Sequence, residues 1–312
     1  MAQEKYRLVT RSDFDGLVCA VLLNELELIE DIAFVHPKDM QDGKISINQH
    51  DITTNLPYCP GAYLAFDHHE SEILRSTGAR PNHIIDPSAP SAARVVYRHY
   101  GGRDAFPNIS DEMMAAVDKA DSAQFSRDEI LNPTGWVLLN YLMDSRTGLG
   151  RFKEFRISNY ALMMDLIQYC RDHTIDEIIA LPDVQERVEL YQSHATLAKE
   201  QILRCSKLYD KLVVLDLRNE ETIYAVNRFM IYALFPQANI SIHVMWGLKQ
   251  QNTVFATGKS ILDRSSKTNI GELMLKYGGG GHAAAGTCQI PNYQADSVLQ
   301  QLIKRINDDE KA

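Results

Sequence analysis

Several features that mark secreted or membrane-bound proteins are missing from this sequence. No run approaches the roughly 20 consecutive apolar residues that a membrane-spanning helix requires, and the N-terminal residues contain neither the apolar core nor the cleavage site of a signal peptide. The 5 cysteines are odd in number and form no CxxC pair, which argues against a disulfide framework and against a thiolate zinc site. These absences predict a cytoplasmic protein with no membrane partner.

Positive charge is also scarce. The chain has 32 Lys and Arg against 41 Asp and Glu, a net charge of −9, and it lacks the basic stripe typical of proteins that follow long nucleic acids. Long nucleic acid is therefore not an expected partner. The acidity indicates either an ordinary solvated surface or carboxylates clustered around a divalent cation. The oligomeric state is left open, with a homodimer as one option.

The length of 312 residues is about twice that of a common domain of ~100–150 residues, which predicts two domains. Strands alternate with helices, so we predict an α/β fold: a mostly parallel-sheet domain over 1–182, a linker helix over 183–209 and a smaller α/β domain over 210–312. The predicted strands are 6–10, 32–36, 45–47, 62–66, 212–217, 240–248 and 253–257. The predicted helices are 17–27, 91–100, 111–120, 157–170, 223–235 and 270–277.

Acidic and histidine residues occur in four segments where strands should end. These residues are Asp13, Asp15, Asp51, Asp67, His68, His69 and Asp121. Carboxylates with one or two imidazoles and no thiolate suit Mn²⁺ or Mg²⁺ better than structural zinc. Each segment alone is a weak signal, because DxD pairs are common in helix caps and surface turns. Their combination predicts a metal site, where two ions about 3.5–4 Å apart would activate water and neutralise a phosphoryl group.

A run of glycines lies near the C-terminus. Gly278, Gly279, Gly280 and Gly281 can expose backbone N–H groups to a phosphate, and His282 can add a hydrogen bond or a charge. The small residues after His282 predict the start of another helix. A flexible connector is the alternative, but the position of the histidine favours an anion-binding site.

The motifs DFDG, DHH and GGGGHAAAG, in this order, resemble the DHH-type phosphoesterase superfamily with its DHH-associated C-terminal domain. The resemblance covers Thr10 to Gly286. It implies a metal-dependent phosphodiesterase acting on very short oligonucleotides, with the linear dinucleotide pGpG as the favoured substrate and mononucleotides as products. An exopolyphosphatase or other phosphoanhydride hydrolase is an alternative, and a non-catalytic nucleotide-binding sensor is an alternative of another class.

The resemblance also implies roles for individual residues. Asp51 would bridge two Mn²⁺ ions, with Mg²⁺ as the other option, and Asp13 would bind the first ion. The second ion would be held by Asp15, His68 and Asp121. Asp67 and His69 would be catalytic, either fixing a neighbouring ligand or facing the substrate.

One position departs from the family pattern. Relatives often carry a histidine two or four residues before the first Asp of DFDG, whereas this chain has Arg11 and Val9 there. The first ion is therefore expected to be weakly held, or absent until substrate binds. Arg11 either contacts phosphate, which suits a guanidinium, or forms a surface salt bridge. Arg264 is a further predicted substrate contact, with the glycine run and His282.

Overall fold

The computed structural model describes residues 4–69, 78, 80–152 and 154–311. The chain forms two compact units. The first comprises the residues up to Gln124 together with Pro133–Leu190, and the second comprises Phe125–Asn132 together with Tyr191 onward. The predicted C-terminal domain over 210–312 falls within the second unit, which also takes a short segment from the middle of the chain.

The described elements begin as alternating strands and helices, continue as a run of helices over 92–205, and then return to mixed strands and helices. The strands are β1 Tyr6–Arg11, β2 Ile29–Val35, β3 Asp51–Thr54, β4 Leu64–Asp67, β5 His83–Ile85, β6 Ser206–Tyr209, β7 Leu212–Asp216, β8 Ile240–Trp246, β9 Thr253–Lys259, β10 Gly280–His282 and β11 Ala285–Ile290. The helices are α1 Phe14–Glu25, α2 Pro37–Gln41, α3 Ala92–His99, α4 Asp111–Asp121, α5 Arg127–Leu131, α6 Gly135–Met143, α7 Asn159–Asp172, α8 Ile175–Ala180, α9 Pro182–Cys205, α10 Met230–Leu234, α11 Ile270–Leu275 and α12 Ala295–Lys311. The predicted α/β fold is confirmed.

The first unit is built on a five-stranded sheet in the order β2-β1-β3-β4-β5. Its neighbouring strands are all parallel, so the prediction of a parallel sheet is confirmed. Helix α1 is buried along its whole stretch from Phe14 to Leu23, because it packs among β1, α3 and α7. A helix that packs against neighbours on all sides has apolar residues on every face.

The strand predicted at 45–47 is wrong. Those residues form no ladder, and the Ser46 carbonyl accepts a hydrogen bond from the Arg7 side chain, at 2.9 Å. The third strand begins only at Asp51, whose neighbour in the register of β1 is Arg7.

The second unit contains a six-stranded sheet in the order β10-β11-β9-β8-β7-β6. The β7–β8 pair is parallel and the other pairs are antiparallel. Its core joins apolar residues of the central strands, such as Ile242 and Phe255, to the buried side of α12, such as Leu302 and Ile306.

The helix predicted at 223–235 is reduced to Met230–Leu234. The preceding residues are held out of helical geometry by α9. The backbone N–H of Tyr224 donates to the Gln201 side chain, and that of Ala225 donates to His194 Nδ1. These partners lie more than 20 residues away, so local sequence patterns could not reveal them.

Helix α9 runs from Pro182 to Cys205 and so ends before the predicted residue 209. It ends there because Ser206–Tyr209 pairs with β7 as an antiparallel strand. The boundary between the two compact units falls inside this helix, after Leu190. Among the described residues, no helix is both long enough and apolar enough to span a membrane.

Candidate metal centre

The predicted ligands other than Asp51 gather at the carboxyl edge of the parallel sheet. Strands β1, β3 and β4 are adjacent, and parallel neighbours deliver the residues that follow them to the same edge. Asp13 comes two residues after β1, Asn55 comes directly after β3, and Asp67 is the last residue of β4. Two groups of side chains there, Asp15–His68–Asp121 and Asp67–His68–His69, have ligand atoms that all lie within 4.8 Å of one another.

Asp15 is oriented by two helices at once. It lies in the first turn of α1 and is 2% exposed. Its oxygens accept hydrogen bonds from the backbone N–H groups of Ala92 and Ala93, at 3.0 and 2.8 Å, at the start of α3. A helix N-terminus favours a carboxylate in this way. Even so, burial, followed by repulsion from Asp121, raises the pKa of Asp15 to about 8.

Asp67 is a buried carboxylate, 1% exposed, with unequal oxygens. Its Oδ1 accepts from the backbone N–H of His68 at 2.8 Å and from the His69 ring Nδ1 at 2.7 Å. Its Oδ2 has no hydrogen-bond partner in the part of the chain that the structure describes. Because buried polar atoms are normally paired, this oxygen marks a place for a cation.

His68 supplies a nitrogen that is set up for ligation. Its Nδ1 lies 3.2 Å from the Ala89 carbonyl oxygen, which can only accept, so Nδ1 carries the proton. Its Nε2 lies 2.8 Å from Asp121 Oδ2. A backbone partner on one ring nitrogen is the usual way to aim the other at a metal.

The His68–Asp121 pair is strongly polarised. Burial lowers the pKa of His68, but the bond to Asp121 and the attraction of Asp121, Asp15 and Asp67 together outweigh burial and raise that pKa to about 9. Burial raises the pKa of Asp121, but the same bond and the attraction of His68, His69 and Arg11 together lower it. The imidazole is therefore protonated at neutral pH when no cation is bound, and cation binding releases that proton.

Asp13 caps α1, and unlike Asp67 it has partners on both of its oxygens among the described residues. Its Oδ1 accepts from the Gly16 N–H at 3.0 Å and from the Asn55 amide at 3.3 Å, and its Oδ2 lies 2.8 Å from Arg11 Nε. Burial raises the pKa of Asp13, and the Arg11 guanidinium acts in the opposite direction. Gly16 is required in this turn, because a Cβ there would lie 2.0 Å from the Arg11 carbonyl oxygen.

The structure contradicts the prediction that Asp51 bridges two ions. Asp51 is the first residue of β3 and aligns with Arg7, whereas Thr54 aligns with Thr10 near the end of β1. Asp51 therefore lies at the opposite edge of the sheet. Its oxygens accept from Arg7 Nε and Nη2 at 2.7 and 3.0 Å and from the Asn48 N–H at 2.7 Å.

The donor set at the carboxyl edge fits a hard divalent cation. It offers the carboxylates of Asp15 and Asp121, the Nε2 of His68 and the unpaired oxygen of Asp67, without any thiolate. Oxygen ligands with an imidazole are typical of Mn²⁺ and Mg²⁺ sites. Burial and, after it, repulsion from Asp121 raise the pKa of Asp15, and a bound cation would offset both effects.

The glycine run adopts a hairpin rather than an open phosphate loop. Gly278 and Gly279 donate their N–H groups to carbonyls of α11, and Gly280, Gly281 and His282 form β10, which pairs with β11. The helix predicted after His282 is wrong, because Ala285 begins a strand. Close packing explains one glycine: a Cβ on Gly279 would lie 2.1 Å from the Thr287 carbonyl oxygen.

The remaining predicted substrate residues are exposed in the second unit. His282 lies in β10, and Arg264 donates from Nε to the Ile261 carbonyl at 3.4 Å. Their role as substrate contacts stays a prediction.

Two residues near the cation cluster were not predicted. Asn55 is 1% exposed and has a positive φ of 54°, and its position after β3 could have been found only by knowing the strand register. Arg146 donates from Nε to Asp144 at 2.7 Å. Burial lowers the pKa of Arg146, but attraction to Asp144 and then to Asp13 and Asp121 raises it overall.

The fold and this site define a phosphoesterase, and the chain belongs to the DHH-type phosphoesterase family. It is similar to the pGpG-specific phosphodiesterase PggH from Vibrio cholerae, with 68% sequence identity over 98% of this chain and 100% of that one, and a TM-score of 0.85. The chain is therefore an enzyme rather than a non-catalytic sensor.

Two more distant structures share the fold. An exopolyphosphatase-related protein from Bacteroides fragilis is 14% identical over 99% of this chain and 94% of that one, with a TM-score of 0.52. RecJ from Thermus thermophilus, solved in complex with Mn²⁺, is 13% identical over 98% of this chain and 52% of that one, with a TM-score of 0.56. No protein-family model matches the chain, and no curated protein matches it.

Proposed function

We propose that this chain hydrolyses the linear dinucleotide pGpG to two GMP molecules, using a divalent cation. The observation that carries the proposal is the 68% identity to a pGpG-specific phosphodiesterase over 98% of the chain. The net charge of −9 supports a short substrate, since proteins that follow long strands carry a basic track.

The cation would be held by Asp15, His68 and Asp121, and Asp67, whose Oδ2 has no partner among the described residues, would be a further ligand. Mn²⁺ is the favoured ion and Mg²⁺ the alternative. When bound, the cation supplies Lewis acidity for the attack of water on phosphorus and for the charge on the phosphoryl oxygens. The protein contributes the positions of these four side chains, each fixed by backbone bonds or by a neighbouring side chain.

His69 is the proposed proton donor to the leaving 3′ oxygen. Asp67 Oδ1 lies 2.7 Å from His69 Nδ1, which fixes the ring and places the transferable proton on Nε2. Burial lowers the pKa of His69, but the hydrogen bond to Asp67 and the attraction of its charge together outweigh burial and raise that pKa. The ring is therefore protonated more readily than a free imidazole, as a general acid requires.

Positive charge for the substrate phosphates comes from arginine in the first unit. Arg11 lies beside Asp13, and Arg146 lies in the field of Asp13 and Asp121. In the second unit, we propose that His282 binds substrate with Arg264 and the hairpin at Gly278–Gly281. Two arginines suit the non-bridging oxygens of a phosphodiester, because a guanidinium donates in a plane.

The test is a panel of substrates with purified enzyme and Mn²⁺ or Mg²⁺. It compares pGpG with other dinucleotides, a ten-residue RNA and polyphosphate, by following the mononucleotides or phosphate released. We expect pGpG to give the highest kcat/KM and polyphosphate to give no measurable phosphate. Equal or faster cleavage of the ten-residue RNA would refute the proposed substrate, and phosphate release from polyphosphate at a matching rate would replace it.

Asp121→Asn is the matched variant for the site. It keeps the size of the side chain but removes the charge, so we expect a loss of Mn²⁺ affinity and a fall in kcat of at least about 100-fold. Asp111→Asn removes an exposed carboxylate from the same helix and should change neither quantity. The predicted cytoplasmic location and homodimer stay predictions.

A further inference from the structure

We infer that this metal centre holds a single divalent cation, and that the Arg11 guanidinium, paired with Asp13, takes the place of a second ion. The inference rests on the proposed function only in taking the Asp15–His68–Asp121 cluster as the cation site. It replaces the two-ion arrangement that the family resemblance implies.

The first argument is that Asp13 is already paired with a cation of the chain itself. Its Oδ1 accepts from both Gly16 and Asn55, and its Oδ2 is paired with Arg11 Nε at 2.8 Å. A dication at Asp13 would be repelled by that guanidinium. Asp67 is the contrasting case, since its Oδ2 has no partner among the residues described.

The second argument concerns the centre of the edge. Because β3 lies between β1 and β4, a group bridging their two sides must come from the residue after β3. That residue is Asn55, which the N–H···O bond to Phe66 holds at 3.1 Å. An amide is neutral, so it cannot offset the repulsion between two dications a few ångströms apart as a bridging carboxylate would.

The third argument is the orientation of Asn55 itself. Its φ of 54° is sterically unfavourable for most side chains but tolerated by Asn. The amide is directed at Asp13, and its Oδ1 is buried without a hydrogen-bond partner within the described ranges. The folded chain keeps Asn55 in this unfavourable backbone conformation with its side-chain carbonyl buried, and in this arrangement a neutral amide donates to Asp13.

Charge follows the same division. The Asp13–Arg11 pair is formally neutral, while Asp15, Asp67 and Asp121 offer three carboxyl groups on the other side. A single dication is attracted to that second group. Arg11 then serves the substrate phosphate as a fixed cation that needs no metal.

The experiment counts Mn²⁺ ions on the full chain after removal of metal with a chelator. Isothermal titration gives the stoichiometry, and electron paramagnetic resonance separates isolated Mn²⁺ from the coupled signal of two ions about 3.5–4 Å apart. We expect about one uncoupled Mn²⁺ per wild-type chain. The variant combining Arg11→Gln with Asn55→Asp should bind about two, with a coupled signal.

Two controls separate charge from folding. Arg11→Lys keeps a cation beside Asp13 and should still bind one ion, and Arg103→Gln removes an exposed arginine of the same unit and should behave as wild type. Circular dichroism and thermal unfolding verify that each variant is folded. If the double variant does not fold, Asn55→Asp alone is counted, and we expect its second ion to bind at least tenfold more tightly than in wild type.

Two results would overturn the inference. One is a coupled pair of ions in the wild-type chain, and the other is a folded Asn55→Asp or double variant that still binds only one. Because the ions are counted without substrate, a chain that binds one Mn²⁺ but does not cleave pGpG refutes the proposed function and leaves this inference standing.

Discussion

At the scale of single residues, Asp67 positions two neighbouring groups of the candidate metal centre. One of its oxygens positions the backbone of His68 and the ring of His69, while the other has no partner among the described residues. A buried carboxylate with one oxygen fully used and one unused is costly unless a cation or donor arrives. Because a bound cation would remove this cost, the unpaired oxygen favours metal binding by the folded chain.

Asp51 gives the sharpest test at this scale. Since it lies at the opposite edge and pairs with Arg7, Asp51→Asn should leave Mn²⁺ affinity and pGpG turnover within about twofold of wild type. The variant should lose about 1–3 kcal/mol of stability, because a charged acceptor is removed from Arg7 and from the Asn48 N–H. Urea unfolding, Mn²⁺ titration and kinetics measure the three quantities.

A loss of Mn²⁺ binding by folded Asp51→Asn would restore Asp51 as a ligand and contradict the strand register. Asp121→Asn provides the positive control in the same titration.

The residues of the site could be predicted from the sequence only where a strand end was unambiguous. The apolar run before Asp67-His68-His69 and the strand before Asp13 fix their edge, and both predictions placed the side chains at the carboxyl end. The segment HDITTN contains two candidates four residues apart, Asp51 and Asn55. Only the pairing of β3 with β1 decides which of them reaches the site.

At the scale of elements, the hairpin of β10 and β11 allows a matched pair of substitutions. Gly279→Ala places a Cβ 2.1 Å from the Thr287 carbonyl oxygen, whereas a Cβ on Gly280 meets nothing within 4 Å. We expect Gly279→Ala to cost roughly 2–3 kcal/mol and Gly280→Ala less than about 0.5 kcal/mol. Equal unfolding midpoints in urea for the two variants would show that the hairpin is arranged differently.

Strand β8 carries a pH-dependent contribution to stability. Burial lowers the pKa of His243 to about 4, against about 6.5 in an unfolded chain. Between these values the unfolded chain binds a proton that the folded chain does not, so stability falls as pH falls. Because His243 is only partly buried, we expect a loss on the order of 2 kcal/mol from pH 7 to pH 4.5.

The measurement is urea unfolding at several pH values. His243→Phe should reduce the decrease in stability with falling pH relative to wild type, and His173→Gln, which removes an exposed histidine, should keep it. The same slope in wild type and His243→Phe would show that other groups cause the acid sensitivity.

Elements were predicted best where local pattern and long-range partners agree. Strands β1, β2, β4, β7, β8 and β9 were located to within a few residues, whereas β3, β5, β6, β10 and β11 were not predicted. The helix predicted at 223–235 failed because Gln201 and His194 take its first N–H groups. The strand predicted at 45–47 failed similarly, since a side chain, Arg7, bonds that backbone instead of a neighbouring strand.

At the scale of the whole molecule, the excess of negative charge makes a prediction about salt. Two substrate phosphates release few counterions, so kcat/KM for pGpG should fall less than about tenfold between 50 and 200 mM salt. A protein contacting 6–10 phosphates would lose about 10³–10⁵-fold in affinity over the same range. Initial rates at low substrate concentration measure the slope, and a loss above 100-fold would indicate contacts to a longer strand.

The composition of the second unit has a consequence for how this protein can be divided. The segment Phe125–Asn132 belongs to that unit: Arg127 donates to the Ala233 carbonyl, and Asn227 donates to the Ile130 carbonyl. A fragment starting at residue 191 would leave both partners without those bonds and uncover Phe229, which packs on Phe125. A single recombination crossover could therefore not exchange the two units. A transplant of the second unit must include the eight residues Phe125–Asn132, which lie in the sequence between the two segments of the first unit.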